Sequence, residues 1–248
     1  MLHLNSVVYY NEIDPYCCQW LRNLIVDEQL PFGEVDQRDI REVTAHDVKG
    51  YTQCHFFAGI GGWAYALAIA GWPADREVWT GSCPCQPFSC AGKRRGEADD
   101  RHLWPDWGSL ISVCHPPVVF GEQVAGRAAT GWLDGVFDDL EAIGYACGAA
   151  IIPACSVGFP HQRDRLWFVA DSDCGDQYRR DRAVQVGRGR RPQETAAVVP
   201  FLSEWAAQPA IPPVAYGISS RMEQCNAYGN AIVPQAAAEF IKAFMDCR

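Results

Sequence analysis

The chain has 248 residues, 48% of them hydrophobic, and a formal net charge of -9, so it is long enough to bury a full core and too apolar for wholesale disorder. No run is long and apolar enough to span a bilayer, and the first residues lack the basic and apolar segments of a signal peptide, which predicts a soluble, cytoplasmic protein. The acidic balance disfavours nucleic-acid binding unless a local basic face supplies the contact with phosphate.

Val7 to Tyr10 is a short β-favouring run. Asp14 then caps a predicted helix that starts at Pro15 and carries Cys17, Trp20, Leu21, Leu24 and Ile25 at helical spacing. Glu12, at the carboxyl end of that strand, is placed to accept hydrogen bonds from a ribose in a nucleotide-binding α/β fold, or is an ordinary turn acid. A second strand is predicted through Gly33-Glu34-Val35 to Asp39-Ile40. Asp39, an acceptor-only carboxylate, could take an adenine amino group or lie idle at the surface.

Gln53 to Phe57 reads as a strand, followed by Ala58-Gly59-Ile60-Gly61-Gly62 and an apolar helix from Trp63 to about Ala70. Glycines there permit a tight turn and close approach of a ligand to helix-start donors, although the pattern does not match the longer triphosphate-binding loop. Glu77 to Thr80 predicts a further strand, which feeds the run TGSCPCQPFS. A cysteine on a proline-stiffened loop after a strand meets two requirements of a reactive thiol, exposure and rigidity. Most of the twelve cysteines read as reduced packing residues. Cys83, Cys85 and Cys90 are compact, but no second cysteine or histidine pair follows at a familiar ligand spacing, so no metal is expected.

The polar segment from Gly92 to Asp100 suits a lid or an exposed loop. Pro117 to Phe120 predicts a strand ending at Gly121-Glu122, and Trp132 to Ile143 a helix stopped by Gly144. Strands are predicted at Tyr145 to Ile152 and Leu166 to Ala170. From Asp171 the composition changes: Arg179, Arg180, Arg182, Arg188, Arg190 and Arg191 crowd one segment, a basic patch suited to phosphate or a solvated loop. An apolar helix through Phe244 ends the chain. Alternating strands and helices predict a three-layer α/β domain.

Taken in order, these segments resemble the cytosine-5 DNA methyltransferases that use S-adenosylmethionine. Phe57-Ala58-Gly59-Ile60-Gly61-Gly62 resembles the cofactor loop, Pro84-Cys85-Gln86-Pro87-Phe88-Ser89 the nucleophile loop, and Gly121-Glu122-Gln123-Val124 the catalytic glutamate segment, with Gln123 in place of the usual asparagine. Gln162-Arg163-Asp164-Arg165 resembles the paired-arginine segment, and Gly229-Asn230-Ala231-Ile232-Val233-Pro234 the closing one. His55 stands where the family usually has an acid, a departure that could alter how the methionine amine is held without removing the glycine turn. The interval from Gly62 to Pro84 is too short for the acidic ribose turn and adenine segment that ordinarily intervene. Asn11-Glu12-Ile13-Asp14 and Arg38-Asp39-Ile40 resemble them upstream, which implies a circular permutation.

The resemblance implies that the Cys85 thiolate adds to cytosine carbon 6, that Glu122 acts on ring nitrogen 3, that Arg165 holds the base carbonyl, and that Arg163 orients Glu122, base or phosphate. It implies a cofactor site of Phe57, Gly59, Gly61, Glu12, Ile13, Asp39 and Pro84. Support or DNA contact falls to Gln86, Ser89, Arg101 and Asn230, and duplex DNA with a flipped base is the partner. Arg179, Arg180, Arg188 and Arg190 would meet phosphate or read guanine. The expected organisation is a catalytic α/β domain with a mostly parallel sheet over residues 1–170, a small irregular recognition region over 171–225, and a returning segment over 226–248. The alternatives are an RNA cytosine-5 methyltransferase and a degenerate, noncatalytic DNA-binding or regulatory protein.

Overall fold

The computed structural model describes residues 8–84, 103–173, 227 and 229–247. Seven strands of the described residues form one sheet: β1 (Val8–Asn11), β2 (Gly33–Asp36), β3 (Gln53–Phe56), β4 (Val78–Gly81), β5 (Val118–Val124), β6 (Ala146–Pro153) and β7 (Asp164–Asp171). Their spatial order is β2-β1-β3-β4-β5-β7-β6. The first five run parallel, and β7 is antiparallel to both β5 and β6.

Among the described residues five helices cover the sheet: α1 (Pro15–Val26), α2 (Gly62–Ala70), α3 (Trp104–Cys114), α4 (Arg127–Ala142) and α5 (Pro234–Asp246). A parallel sheet clad on both faces needs apolar side chains pointing both ways, and the strands supply them alternately. Cys54, Phe56, Val119 and Phe168 point toward Trp107 and Ile111 of α3 and Leu140 of α4. Val78, Phe120 and Trp167 point the other way, toward Leu67 of α2 and Phe240 and Ile241 of α5. Val8 and Tyr10 continue that second face under Leu21 of α1. The result is the predicted three-layer arrangement.

Several boundaries depart from the sequence expectations. β2 stops at Asp36 rather than reaching Ile40, because Asp39 caps a 3-10 turn over Ile40–Glu42 by accepting from the Arg41 N–H. β5 continues through Val124, since its pairing with β7 extends to Arg165. α4 opens at Arg127, ahead of Trp132. The sequence reading did not predict α3, yet Trp104, Trp107, Leu110 and Ile111 are its buried stripe, and it carries proline in the first turn. No helix of the described residues is long and apolar enough to cross a membrane.

Candidate active site

Parallel α/β sheets bind ligands outside the carboxyl ends of their strands, and here those ends surround a cavity of about 490 Å3. One wall is the turn after β3. Phe57 has φ of 51°, Gly59 55° and Gly61 83°, so every second residue of the turn is left-handed before α2 begins. A side chain at Gly61 would also place its Cβ 2.4 Å from a methyl carbon of Leu30, so only glycine fits there. A Cβ at Gly59 would meet nothing within 4 Å, which leaves room for a ligand against the turn.

The upstream strands complete this wall. The Asn11 carbonyl accepts from the Ala58 N–H at 3.0 Å. Glu12 accepts from the Gly59 N–H through Oε2 at 2.7 Å and from the Asp14 N–H through Oε1 at 2.9 Å. Burial pushes the Glu12 carboxyl up, against the pull of these backbone donors. Ile13 also lines the cavity, with 59% of its surface exposed. Asp39 lines it too, and its ion pair with Arg41 at 2.6 Å holds its carboxyl below the ordinary value.

The opposite wall comes from β4, β5 and β7. Gly81 and Gly121 are in register on adjacent parallel strands, so Ser82 and Glu122 follow side by side. Glu122 is buried, and its Oε1 receives the Arg165 Nε at 2.7 Å. Burial pushes this carboxyl up, opposed by Arg165, a hydrogen bond from Ser82 and the charge of Arg163. Ser82 also accepts from Trp63 Nε1 at 3.1 Å. Gln123 donates through Nε2 to the Cys83 carbonyl at 3.1 Å, tying β5 to the segment that leads through Pro84. Asn230 and Ala231 close the cavity from the α5 side.

The cavity therefore brings together Glu12, Ile13, Asp39, Phe57, Gly59, Pro84, Glu122, Arg165 and Asn230, all singled out in the sequence. Gly61 supports the turn from behind. Arg163 reaches elsewhere, donating through Nη2 to the carbonyls of Gly229 at 2.6 Å and Ala231 at 2.8 Å. Cys85, Gln86, Ser89, Arg101, Arg179, Arg180, Arg188 and Arg190 lie outside the described residues.

His55 takes no direct part in the cavity. It is buried in the sheet, with Nδ1 2.7 Å from Thr80 Oγ1 and its ring beside Tyr10, and it does not line the cavity. Burial lowers its pKa to about 3, so it is a neutral core residue. Sequence reasoning missed the roles of Ser82 and Trp63, whose only signal was a polar residue in phase with Thr80 at a strand end. Among the described residues no group of three or more His, Cys, Asp or Glu could hold a metal ion.

Chemically, one wall offers the open space over Gly59, the carboxylates of Glu12, Asp14 and Asp39, and the apolar surfaces of Ile13 and Phe57, a set suited to a ligand with hydroxyls and a flat ring. The other offers a carboxyl paired with a guanidinium, able to address a ring nitrogen beside a carbonyl.

A family model described as C-5 cytosine-specific DNA methylase matches residues 69–194, just over half of the chain. Type II methyltransferase M.AplI of Arthrospira platensis is 32% identical over 96 residues, covering 38% of this chain and 28% of its own length. Type II methyltransferase M.HhaI of Haemophilus parahaemolyticus is 27% identical over 166 residues, covering 65% and 41%. Among solved structures, the Dnmt2 methyltransferase of S. pombe aligns at 18% identity with a TM-score of 0.42, over 66% of this chain and 41% of its own. The Entamoeba histolytica methyltransferase EhMeth aligns at 15% identity with a TM-score of 0.43, over 69% and 46%. The chain spans less than half the length of each of these proteins.

Proposed function

This chain belongs to the C-5 cytosine-specific DNA methylases, and from that premise we propose that it transfers the methyl group of S-adenosylmethionine to carbon 5 of cytosine in DNA, through a covalent adduct of Cys85 with a flipped base. The observation that carries this reading is a single cavity joining Glu12, Asp39 and the glycine turn to Pro84 and the Glu122–Arg165 pair.

The residues present fit the donor. Glu12 keeps lone-pair capacity beyond its bonds from the backbone, enough to accept from a ribose. Ile13 and Phe57 flank a place for adenine, and Asp39 can accept from its amino group. The open space over Gly59 leaves room for the methionine portion. When bound, the donor supplies an electrophilic methyl group on a sulfonium.

The chain's own residues make cytosine reactive. Carbon 5 is a poor nucleophile until the Cys85 thiolate forms a bond to carbon 6 and pushes electron density into the ring. Glu122 answers that charge by hydrogen bonding to, or protonating, nitrogen 3. A carboxyl that burial pushes up is suited to hold the necessary proton. Arg165 keeps Glu122 oriented and presents remaining N–H donors to the base carbonyl. After methylation, loss of the carbon-5 proton restores the ring double bond and expels Cys85 as thiolate. Carbon 6 is enclosed in a duplex, so the base must leave the stack to reach the cavity. The arginine-rich sequence from Arg179 to Arg191 supplies phosphate attraction that the acidic chain otherwise lacks.

The test is incubation with mixed-sequence duplex DNA and methyl-labelled S-adenosylmethionine, followed by digestion and mass spectrometry for 5-methylcytosine. Wild-type protein is expected to produce it, and Cys85→Ala to lose both product and covalent trapping while keeping donor binding. Product confined to a parallel structured-RNA sample would move the substrate to RNA. Normal turnover by Cys85→Ala would remove the nucleophile from the mechanism.

A further inference from the structure

Arg163 and Arg165 lie two residues apart at the start of β7, yet they face different tasks. Arg165 is committed to Glu122. Arg163 gives two hydrogen bonds from one nitrogen to the main-chain carbonyls of Gly229 and Ala231, 2.6 and 2.8 Å away. Its Nε is buried without a hydrogen-bond partner, and burial, with Arg165 adding to it, holds its pKa below the ordinary value. Its backbone has φ of 37°, a left-handed conformation unusual for a residue with a side chain. Strain of this kind persists where the surroundings demand it.

The recipient segment has a definite place. Gly229, Asn230, Ala231 and Ile232 all line the cavity. Ile232 presses on the first residue of α2, where a Cβ at Gly62 would fall 2.7 Å from its Cγ1. Immediately after it, Val233 is the N-cap of α5, whose small residues Ala236, Ala237 and Ala238 are buried in the core that α2 shares. The two carbonyls flank Asn230, so the guanidinium fixes that residue from both sides. A cation held on two carbonyls sets the separation between the start of β7, where the base-directed pair sits, and the wall on the donor side.

We infer that Arg163 is a positioning residue for the methyl donor: by clamping the carbonyls of Gly229 and Ala231 it holds the Asn230 segment as one wall of the donor pocket, and it does not address the base. The inference rests on the proposed methyl-transfer reading for the identity of that ligand.

The decisive experiment measures binding of S-adenosylmethionine by calorimetry without DNA, together with kcat and the KM of donor and of DNA, for wild type, Arg163→Ala, Arg163→Lys and Arg165→Lys. Loss of charged hydrogen bonds predicts donor binding about tenfold weaker or more in Arg163→Ala. Arg163→Lys, which keeps a cation able to reach a carbonyl, should recover part of that loss. The fall is expected to appear first in donor binding and in the KM for the donor, with the KM for DNA unchanged. Arg165→Lys should show the reverse, with kcat lowered and donor binding retained. A fall in kcat or a rise in the KM for DNA in Arg163→Ala, with donor binding intact, would overturn the inference in favour of a base or phosphate contact. Equal decline of every parameter and of the melting temperature in both Arg163 variants would overturn it in favour of a merely structural role. The binding arm needs no turnover, so it decides the role of Arg163 even for a protein inactive on DNA. A wild-type protein that binds no donor would overturn the functional reading, and this inference with it.

Discussion

Glu122 is held between two opposing influences. Burial favours its neutral form, while Arg165 at 2.7 Å and the Ser82 hydroxyl favour the carboxylate. Ser82 has a single proton to give, and Trp63 Nε1, a donor only, occupies its oxygen at 3.1 Å. The hydroxyl proton is thereby directed to Glu122 rather than left to rotate. If the protonated carboxyl serves nitrogen 3, activity is present below the Glu122 pKa and is lost as pH rises through it. Removing a donor that lowers that pKa must move the alkaline limb of kcat upward. Ser82→Ala is therefore expected to extend activity to higher pH, read from the kcat profile of both proteins. An unmoved or lowered limb would break the link between Ser82 and the acid.

At the scale of elements, β5 is the strand on which the site depends, because it carries Glu122 between β4 and β7. Gly121 faces the ring of Phe168 on β7, and a Cβ there would fall 2.1 Å from two ring carbons. That ring packs against Trp132 and Phe137 of α4, so it has little room to retreat. Gly121→Ala should cost about 1–3 kcal/mol or more by overpacking, seen as a lowered urea midpoint with an unchanged slope. Wild-type stability would show that the β5–β7 spacing is softer than this packing implies. The aromatic and β-branched alternation that fixes this packing is local in the sequence, which is why the strands and the three layers were legible there. The buried stripe of α3, with Trp104, Trp107 and Ile111, was equally local and simply not read. Other features depend on register between distant segments. The Ser82–Glu122 juxtaposition follows from Gly81 meeting Gly121, and the partners of Arg163 lie beyond a long intervening stretch, so neither motif announces the contact between them. The surroundings of His55 were out of reach for a related reason, since its burial against Thr80 and Tyr10 is a property of the assembled sheet.

For the whole molecule, the order of strands in space matters more than their order along the chain. β1 and β2 precede the glycine turn in sequence but lie beside β3, where they bring Glu12 and Asp39 to the cavity. This is the arrangement expected of a permuted member of the family, with the sheet retained and the connections redrawn. The joints sit favourably for redrawing them again. Val8 pairs in register with Gln53, so β1 starts beside the start of β3. The Val78 N–H bonds to the Thr52 carbonyl at 3.0 Å, so the chain after Tyr51 lies next to the start of β4. α2 runs back across the sheet and ends at Gly71, toward that same edge. Residues 8–51 could therefore be moved between Gly71 and Glu77 through short glycine-serine linkers without altering any strand's neighbours. That reordered chain is expected to unfold cooperatively and to bind S-adenosylmethionine within about tenfold of wild type, a difference the new loop closures could account for. Deleting residues 1–51 outright should abolish both properties, because β3 would become an exposed edge and the pocket would lose Glu12, Asp14 and Asp39 on that side. Calorimetry and urea unfolding on the two chains decide the matter. Donor binding that survives the deletion, or is lost in a reordered chain that still folds, would separate the upstream strands from the donor site and dissolve the permutation.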